Sequence, residues 1–226
     1  MREWRRRTAR SPVSSFQTRT PRSVVPEHEG DNSHSTRPQD GQPHVPGEPG
    51  IWILLFGDLA VFATLFSIYS FHRAGEKEIF AQSQQHLNRA LGGTNTIVLL
   101  TSSLMLAFAA RAIRRNELRK LAAPLVIGTI GLALCFVGLK FVEYHSLLSK
   151  GFTPATNQFF MYYFVLTGLH LGHVLIGLGV LLALLRLAKK PAPSATHIAF
   201  FEGGACFWHM VDLLWLVIFP LLFLVR

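Results

Sequence analysis

The sequence has 226 residues, of which 50% are hydrophobic and 15% are charged. A soluble globular domain carries about 25% charged residues, so this composition excludes an ordinary soluble domain. The formal net charge is +9, but the basic residues lie mainly in the N-terminal segment and in two loops beside apolar runs. This distribution is typical of membrane topology, so we expect no nucleic-acid partner.

Residues 1–49 are predicted to form a disordered, basic tail on the cytoplasmic side. They contain most of the prolines and show no apolar periodicity, so they cannot bury a core. The first 22 residues carry seven arginines and one acid, Glu3. This pattern also fits a transit peptide, but Pro12 and Pro21 disfavour the amphipathic helix that a transit peptide needs.

Five apolar runs follow the tail, and each is long enough to cross a hydrocarbon core about 30 Å thick. The predicted spans are Ile51–Phe71, Thr94–Ile113, Ala123–Leu147, Phe159–Leu187 and Ile198–Val225. The sequence therefore predicts an all-α membrane protein in which residues 50–226 form a five-transmembrane-helix bundle.

The basic loops predict an orientation. The loop after the second run and the loop after the fourth run are both rich in Lys and Arg, as is the N-terminal tail. The loops after the first and third runs are poorer in basic residues and contain Glu76 and Glu78. Because basic loops stay in the cytoplasm, we expect a cytoplasmic N-terminus and a C-terminus on the outer face.

Four carboxylates lie in or beside the apolar runs: Asp58, Glu143, Glu202 and Asp212. A carboxylate at membrane depth costs roughly 2.5–3.5 kcal/mol, so these groups are interpreted as proton-relay or structural carboxylates with partners. Asp58 fits either role. Lys140 is one helical turn from Glu143, so these two are expected to pair. Glu202 is expected near the inner interface, facing solvent or lipid headgroups.

A polar seam between helices is predicted from five side chains: His170, His173, Trp208, His209 and Trp215. The histidines either ligate a metal or haem or form interhelical hydrogen bonds. Since no cysteine cluster accompanies them, hydrogen bonding is favoured and no metal site is predicted. The tryptophans are expected to pack between helices.

The seam is centred on the last helix, where Glu202, His209 and Asp212 share one side. Its expected partners on other helices are Asp58 and the two histidines of the fourth run. Close helix approach is expected at two pairs of glycines. These pairs are Gly168 with Gly172, and Gly131 with Gly138.

Four motifs in chain order resemble the cytochrome c oxidase subunit III family. Glu202 followed by Phe207–Trp215 resembles the family's Glu followed by aromatic-Trp-His-x-Val-Asp-x-x-Trp. The segment Thr167–His173 is similar to its Thr-Gly-x-His-x-x-His signature. Glu143 with Tyr144 matches a Glu-Tyr at a helix end, and Asp58 stands where the family carries a buried Glu. The resemblance spans residues 50–226.

The chain departs from the long form of the family. It has five apolar runs where the long form has seven, Asp58 replaces Glu, and Lys140 stands where many members have Gln. The short form and the segment Gly47–Trp52 look closest to the subunit-III-like proteins associated with nitric oxide reductases. Two branches therefore remain open: a five-helix oxidase subunit and an accessory subunit of nitric oxide reductase.

The resemblance implies a non-redox membrane subunit that supports assembly, lipid binding and proton uptake in a bacterial inner membrane. Haem and copper would belong to the partner catalytic subunit, and phospholipid would be the one group that this chain itself binds. Two rival interpretations come from the residues alone. One is an electron carrier with haem between His170 and His209, and the other is a proton-coupled transporter that uses Asp58.

Overall fold

The computed structural model describes residues 49–115, 118–190 and 194–225. The predicted tail lies outside these residues, apart from Pro49, which begins the first helix. A proline suits this place, because the first amide groups of a helix have no partner within the helix.

The described residues form six α-helices and contain no strand. Five of the helices are long and apolar enough to cross a membrane, which confirms the predicted fold class. The helices are α1 (Pro49–Gly75), α2 (Lys77–Gln84), α3 (Arg89–Arg114), α4 (Ala122–Ser149), α5 (Gln158–Ala188) and α6 (Ala195–Phe219). A 3₁₀ turn, Arg119–Leu121, precedes α4, and a π-helical turn, Pro220–Leu224, follows α6.

Polar caps fix where three of the long helices begin. The Asn88 side chain accepts hydrogen bonds from the first amides of α3, and the Asn157 side chain accepts one from the first turn of α5. Ser194 and His197 form a reciprocal capping box at the start of α6. Each cap satisfies amide groups that the helix itself leaves unpaired.

The helices α3, α4, α5 and α6 pack in a closed ring, in which each helix contacts the next and α6 returns to α3. The helix α6 is the most enclosed, since 56% of its apolar window is buried, against 11% for α1. The helix α1 packs on the outside of the ring against α5 and α6. Polar side chains of α6 therefore have protein on most sides.

The prediction that the two glycine pairs allow a close approach between helices is wrong, because the large side chains pack against other glycines. An added Cβ atom would meet nothing closer than 4.0 Å at any of Gly131, Gly138, Gly168 and Gly172. At Gly177 of α5, by contrast, a Cβ atom would lie 2.8 Å from the Trp208 ring. At Gly204 of α6 it would lie 2.9 Å from Val180. The small residues therefore bring α5 and α6 together.

The short helix α2, which the sequence analysis did not predict, holds the turn after α6. The Gln84 amide nitrogen donates to the carbonyl oxygens of Leu222, at 3.0 Å, and Val225, at 2.9 Å. The Tyr69 hydroxyl donates to the carbonyl of Leu221 at 3.3 Å. These bonds satisfy carbonyl groups at a helix end, where no further turn supplies amide donors.

Candidate functional site

The side chains of α6 that form the predicted seam bond to hydroxyl groups of α3. The Trp208 indole donates to the Ser102 hydroxyl at 3.0 Å. Two turns further along α6, the Trp215 indole donates to the Thr96 hydroxyl at 3.1 Å. Both indoles are almost fully buried. Because α3 and α6 are antiparallel, two tryptophans seven residues apart on one face of α6 bond to two different hydroxyls of α3.

His209 adds a third contact between the same helices. Its Nδ1 atom lies 2.5 Å from the Ser103 hydroxyl. The Asp212 carboxylate, one turn along α6, lies beside the same serine. Asp212 is buried, and its oxygens form no hydrogen bond with the described residues. Ser103 is consequently the side chain that joins His209 to α3.

Glu202 forms the contact at the opposite end of the seam, and here the prediction of a solvated or headgroup-facing group is wrong. The carboxylate is 7% exposed and pairs with the guanidinium of Arg114, which is 55% exposed. Arginine can bury its apolar stem and keep its charged group near water. The α3 arginine thereby supplies the counter-charge that a buried carboxylate needs.

The partners of the seam also differ from the prediction. Trp208, His209 and Trp215 find their polar contacts in three hydroxyl residues of α3: Thr96, Ser102 and Ser103. Serine and threonine are common in membrane helices because they can bond to their own backbone four residues earlier. Thr101 does only that, with a bond to the carbonyl of Ile97. The sequence pattern alone therefore does not separate the hydroxyls that join helices from those that do not.

His170 lies elsewhere in the bundle, between aromatic rings. Its ring centroid lies 5.3 Å from that of Trp215 and 5.6 Å from that of Phe136. The side chain is fully buried, and neither ring nitrogen forms a hydrogen bond with the described residues. The predicted interhelical hydrogen bond of His170 is therefore wrong, since its contacts are aromatic. His170 and His209 also contact different helices, so the described contacts do not bring them to one site.

Asp58 and His173 do meet, as counting residues along α1 and α5 predicts. The Asp58 Oδ2 atom lies 3.4 Å from the His173 Nε2 atom, and both side chains are partly exposed. The other ring nitrogen, Nδ1, donates to the carbonyl of Leu169 at 2.8 Å. Because Nδ1 carries a proton in that bond, Nε2 faces a carboxylate favourably only when one of the two groups holds an additional proton.

The predicted pair of Lys140 and Glu143 is confirmed. The ammonium nitrogen lies 2.7 Å from a carboxylate oxygen, and both side chains are almost fully buried. The ammonium also lies over three aromatic rings, 4.5 Å from the Trp215 centroid, 5.5 Å from Phe223 and 5.6 Å from Tyr163. The negative ring faces lower the cost of burying the cation. This cluster joins α4, α5 and α6.

Among the described residues, no group of three or more His, Cys, Asp or Glu side chains is arranged to hold a metal ion. The geometry instead brings together the Asp58–His173 contact and the charge pairs inside the bundle.

Comparison with known proteins identifies the family. A family model described as cytochrome c oxidase subunit III matches residues 48–225. The chain belongs to the cytochrome c oxidase subunit III family. The predicted family is thereby confirmed, and with it the predicted function as a subunit of a haem-copper oxidase.

Individual relatives agree with this assignment. The cytochrome c oxidase subunit 3 of Synechocystis sp. is 32% identical over 176 residues, which cover 77% of this chain and 74% of that protein. The cytochrome bo(3) ubiquinol oxidase subunit 3 of Buchnera aphidicola is 30% identical over 175 residues, or 77% of this chain and 84% of that protein. The nitric oxide reductase branch receives no support from these oxidase subunits.

A third relative is longer. The heme-copper oxidase subunit I+III of Aeropyrum pernix is 28% identical over 182 residues, which cover 77% of this chain and 22% of that protein. The subunit III sequence of this chain thus matches part of a protein whose name joins subunits I and III.

The contact of Ser103 with His209 generates a prediction for the subunit III bundle. Replacing Ser103→Ala removes the hydroxyl that bonds His209 and lies beside Asp212. We expect a loss of about 0.6–2 kcal/mol in the free energy of unfolding, as for other interhelical hydrogen bonds in membranes. The measurement is the thermal midpoint of the purified subunit in a mild detergent.

Thr101→Ala is the matched control, because the Thr101 hydroxyl lies on the same helix and bonds only within it. It removes one hydroxyl without breaking a contact with α6. Equal thermal midpoints for the two variants would show that Ser103 does not stabilise the α3–α6 contact.

Proposed function

We propose that this chain is the subunit III of a bacterial inner-membrane oxidase and packs against a catalytic subunit that holds haem and copper. The observation that carries the proposal is the family match over residues 48–225. The name of the Aeropyrum relative, which joins subunits I and III, supports a neighbouring position for the two subunits. In this proposal the chain itself holds no redox centre and supports assembly, lipid binding and proton uptake.

The bundle suits a supporting role in such a complex. The buried cluster at Lys140 and the contacts between α3 and α6 rigidify the ring of four helices, which leaves α1 as the loosely packed helix. Beside α1 lies an apolar groove of about 270 Å³. Its lining residues are Trp52, Leu55, Phe56, Leu59, Cys206, His209, Met210 and Leu213. A groove of this composition accepts the acyl chain of a phospholipid.

Co-purification tests the partner. An affinity tag on the chain, followed by extraction in a mild detergent, is expected to recover a haem-copper catalytic subunit and its haem absorption. The chain expressed alone is expected to show no haem absorption. Recovery of haem with the isolated chain would support an electron carrier instead. Recovery of a nitric oxide reductase subunit would instead indicate that the chain is an accessory subunit of that reductase.

The orientation of the bundle is also part of the proposal. The turn between α3 and α4 and the turn between α5 and α6 carry the basic residues, whereas the turns at the opposite end carry few. The basic end therefore belongs on the cytoplasmic side, together with the N-terminal tail. The turn that Gln84 holds then lies on the periplasmic side.

Reporter fusions test this orientation. Fusions after Arg115 and Lys190 are expected to be active in the cytoplasm, and fusions after Ile79 and Lys150 are expected to be active outside it. The measurement pairs a cytoplasmic reporter with a periplasmic one at each position. A cytoplasmic signal after Lys150 would contradict the five-span topology.

The Asp58–His173 pair is proposed to exchange protons during turnover. It joins α1 to α5, it is partly exposed, and its geometry requires a proton that either group can hold. The other three carboxylates are enclosed and are proposed to be structural. Glu143 and Glu202 have cationic partners, and Asp212 lies inside the contact with α3.

Asp58→Asn tests the exchange, because asparagine keeps the shape and an acceptor oxygen but cannot titrate. We expect complexes of unchanged subunit content to turn over more slowly, with the largest loss at high pH, where protons are scarce. The measurement is steady-state turnover against pH. Thr64→Ala is the control, since this α1 threonine bonds only to the carbonyl of Ala60. Unchanged turnover at every pH would leave Asp58 with a structural role only.

A further inference from the structure

A second pocket lies at the basic end of the bundle, where α3 turns into α4. Its volume is about 380 Å³. The residues that line it are Phe108, Arg111, Ala112, Arg115, Leu118, Leu121 and Leu125. The pocket thus begins on the last turns of α3, passes the 3₁₀ turn and ends on the first turn of α4. It is separate from the seam and from the groove beside α1.

The lining divides into a cationic part and an apolar part. Arg111 and Arg115 are exposed, and neither forms an ion pair with a described acid. Phe108, Leu118 and Leu121 are also strongly exposed, at 48%, 41% and 53%. Two guanidinium groups that pair with no acid among the described residues thus adjoin a cluster of exposed, large apolar side chains.

The start of α4 adds to the positive potential. Leu121, the residue before the helix, offers no capping side chain, and the first turn contains no acidic residue. The positive end of the helix dipole is therefore not compensated by an acidic side chain of its own first turn. Across the segment 111–120 the sequence has five basic residues and one acid, Glu117. An anion is the ligand that this charge favours.

The position of the pocket indicates which kind of anion it binds. Because α3 ends at Arg114 and α4 begins at Ala122, the arginines lie where a membrane span meets the headgroup layer. A soluble anion would leave the leucines and Phe108 uncovered, and an apolar peptide would leave the arginines unpaired. A phospholipid with an anionic headgroup satisfies both parts at once, and basic pockets between membrane helices bind such headgroups.

We propose that this pocket binds an anionic phospholipid, with its phosphate between Arg111 and Arg115 and an acyl chain over Phe108, Leu121 and Leu125. The site belongs to this chain alone and does not depend on the identity of the catalytic partner. It also differs from the groove beside α1, whose lining contains no Lys or Arg.

Native mass spectrometry of the detergent-solubilised full chain tests the proposal. Dioleoyl phosphatidylglycerol and dioleoyl phosphatidylcholine are titrated separately against the wild type and the double variant Arg111→Gln/Arg115→Gln. We expect the wild type to prefer phosphatidylglycerol and the double variant to bind it about 10- to 30-fold more weakly. Binding of phosphatidylcholine is expected to stay the same, because the apolar lining is intact.

The control is the double variant Arg186→Gln/Lys189→Gln, which removes the same charge from the basic end of α5. It is expected to keep the preference for phosphatidylglycerol. An equal loss in both double variants would mean that general surface charge attracts the lipid, and would overturn the site. Undiminished binding in the Arg111→Gln/Arg115→Gln variant would overturn it as well.

Competition with inorganic phosphate distinguishes a lipid site from a simple anion site. Inorganic phosphate at millimolar concentration is expected not to displace phosphatidylglycerol, since it makes no contact with the apolar lining. Displacement by phosphate would show a simple anion site. Because both arginines are exposed, the variants are expected to elute like the wild type in size-exclusion chromatography, which confirms that a loss of lipid is not a loss of fold.

Discussion

The contact between α3 and α6 is the constraint on which the rest of the bundle depends. Hydrocarbon offers no water to a polar group, so a partner within the protein stabilises a buried donor or acceptor. The indoles of Trp208 and Trp215 and the ring of His209 find theirs in hydroxyls of α3. These bonds fix the rotation and the height of α6, which in turn determines which of its residues face α4 and α5.

Two ion pairs of this bundle differ in how far they are enclosed. Lys140 and Glu143 are enclosed and neutralise each other, with aromatic rings of α5, α6 and the following turn around the ammonium. The side chain of Arg114 instead stays 55% exposed and pairs with the enclosed Glu202. The first arrangement needs the whole bundle to be assembled, since breaking a buried pair leaves an uncompensated charge. The second needs only the end of α3 beside the first turns of α6.

The sequence was sufficient to predict features that depend on neighbouring residues or on counting residues along a helix. Long apolar runs predicted five spans, and Lys140 and Glu143 are neighbours on one helix. Counting residues along two helices was enough to bring Asp58 to His173. It failed where a partner is remote, as with Glu202, whose arginine is 88 positions away. The short helix α2 was missed because its eight mostly polar residues show no apolar run.

Trp208 is held on two sides, which restricts the pairs of residues that positions 177 and 208 can carry in the family. Its nitrogen is bonded to Ser102 of α3, while its ring lies so close to Gly177 of α5 that a single added carbon would clash. The indole is therefore fixed on both of these sides. A larger residue at position 177 is compatible with this packing only beside a smaller one at position 208. In an alignment of subunit III sequences, the two positions should change together.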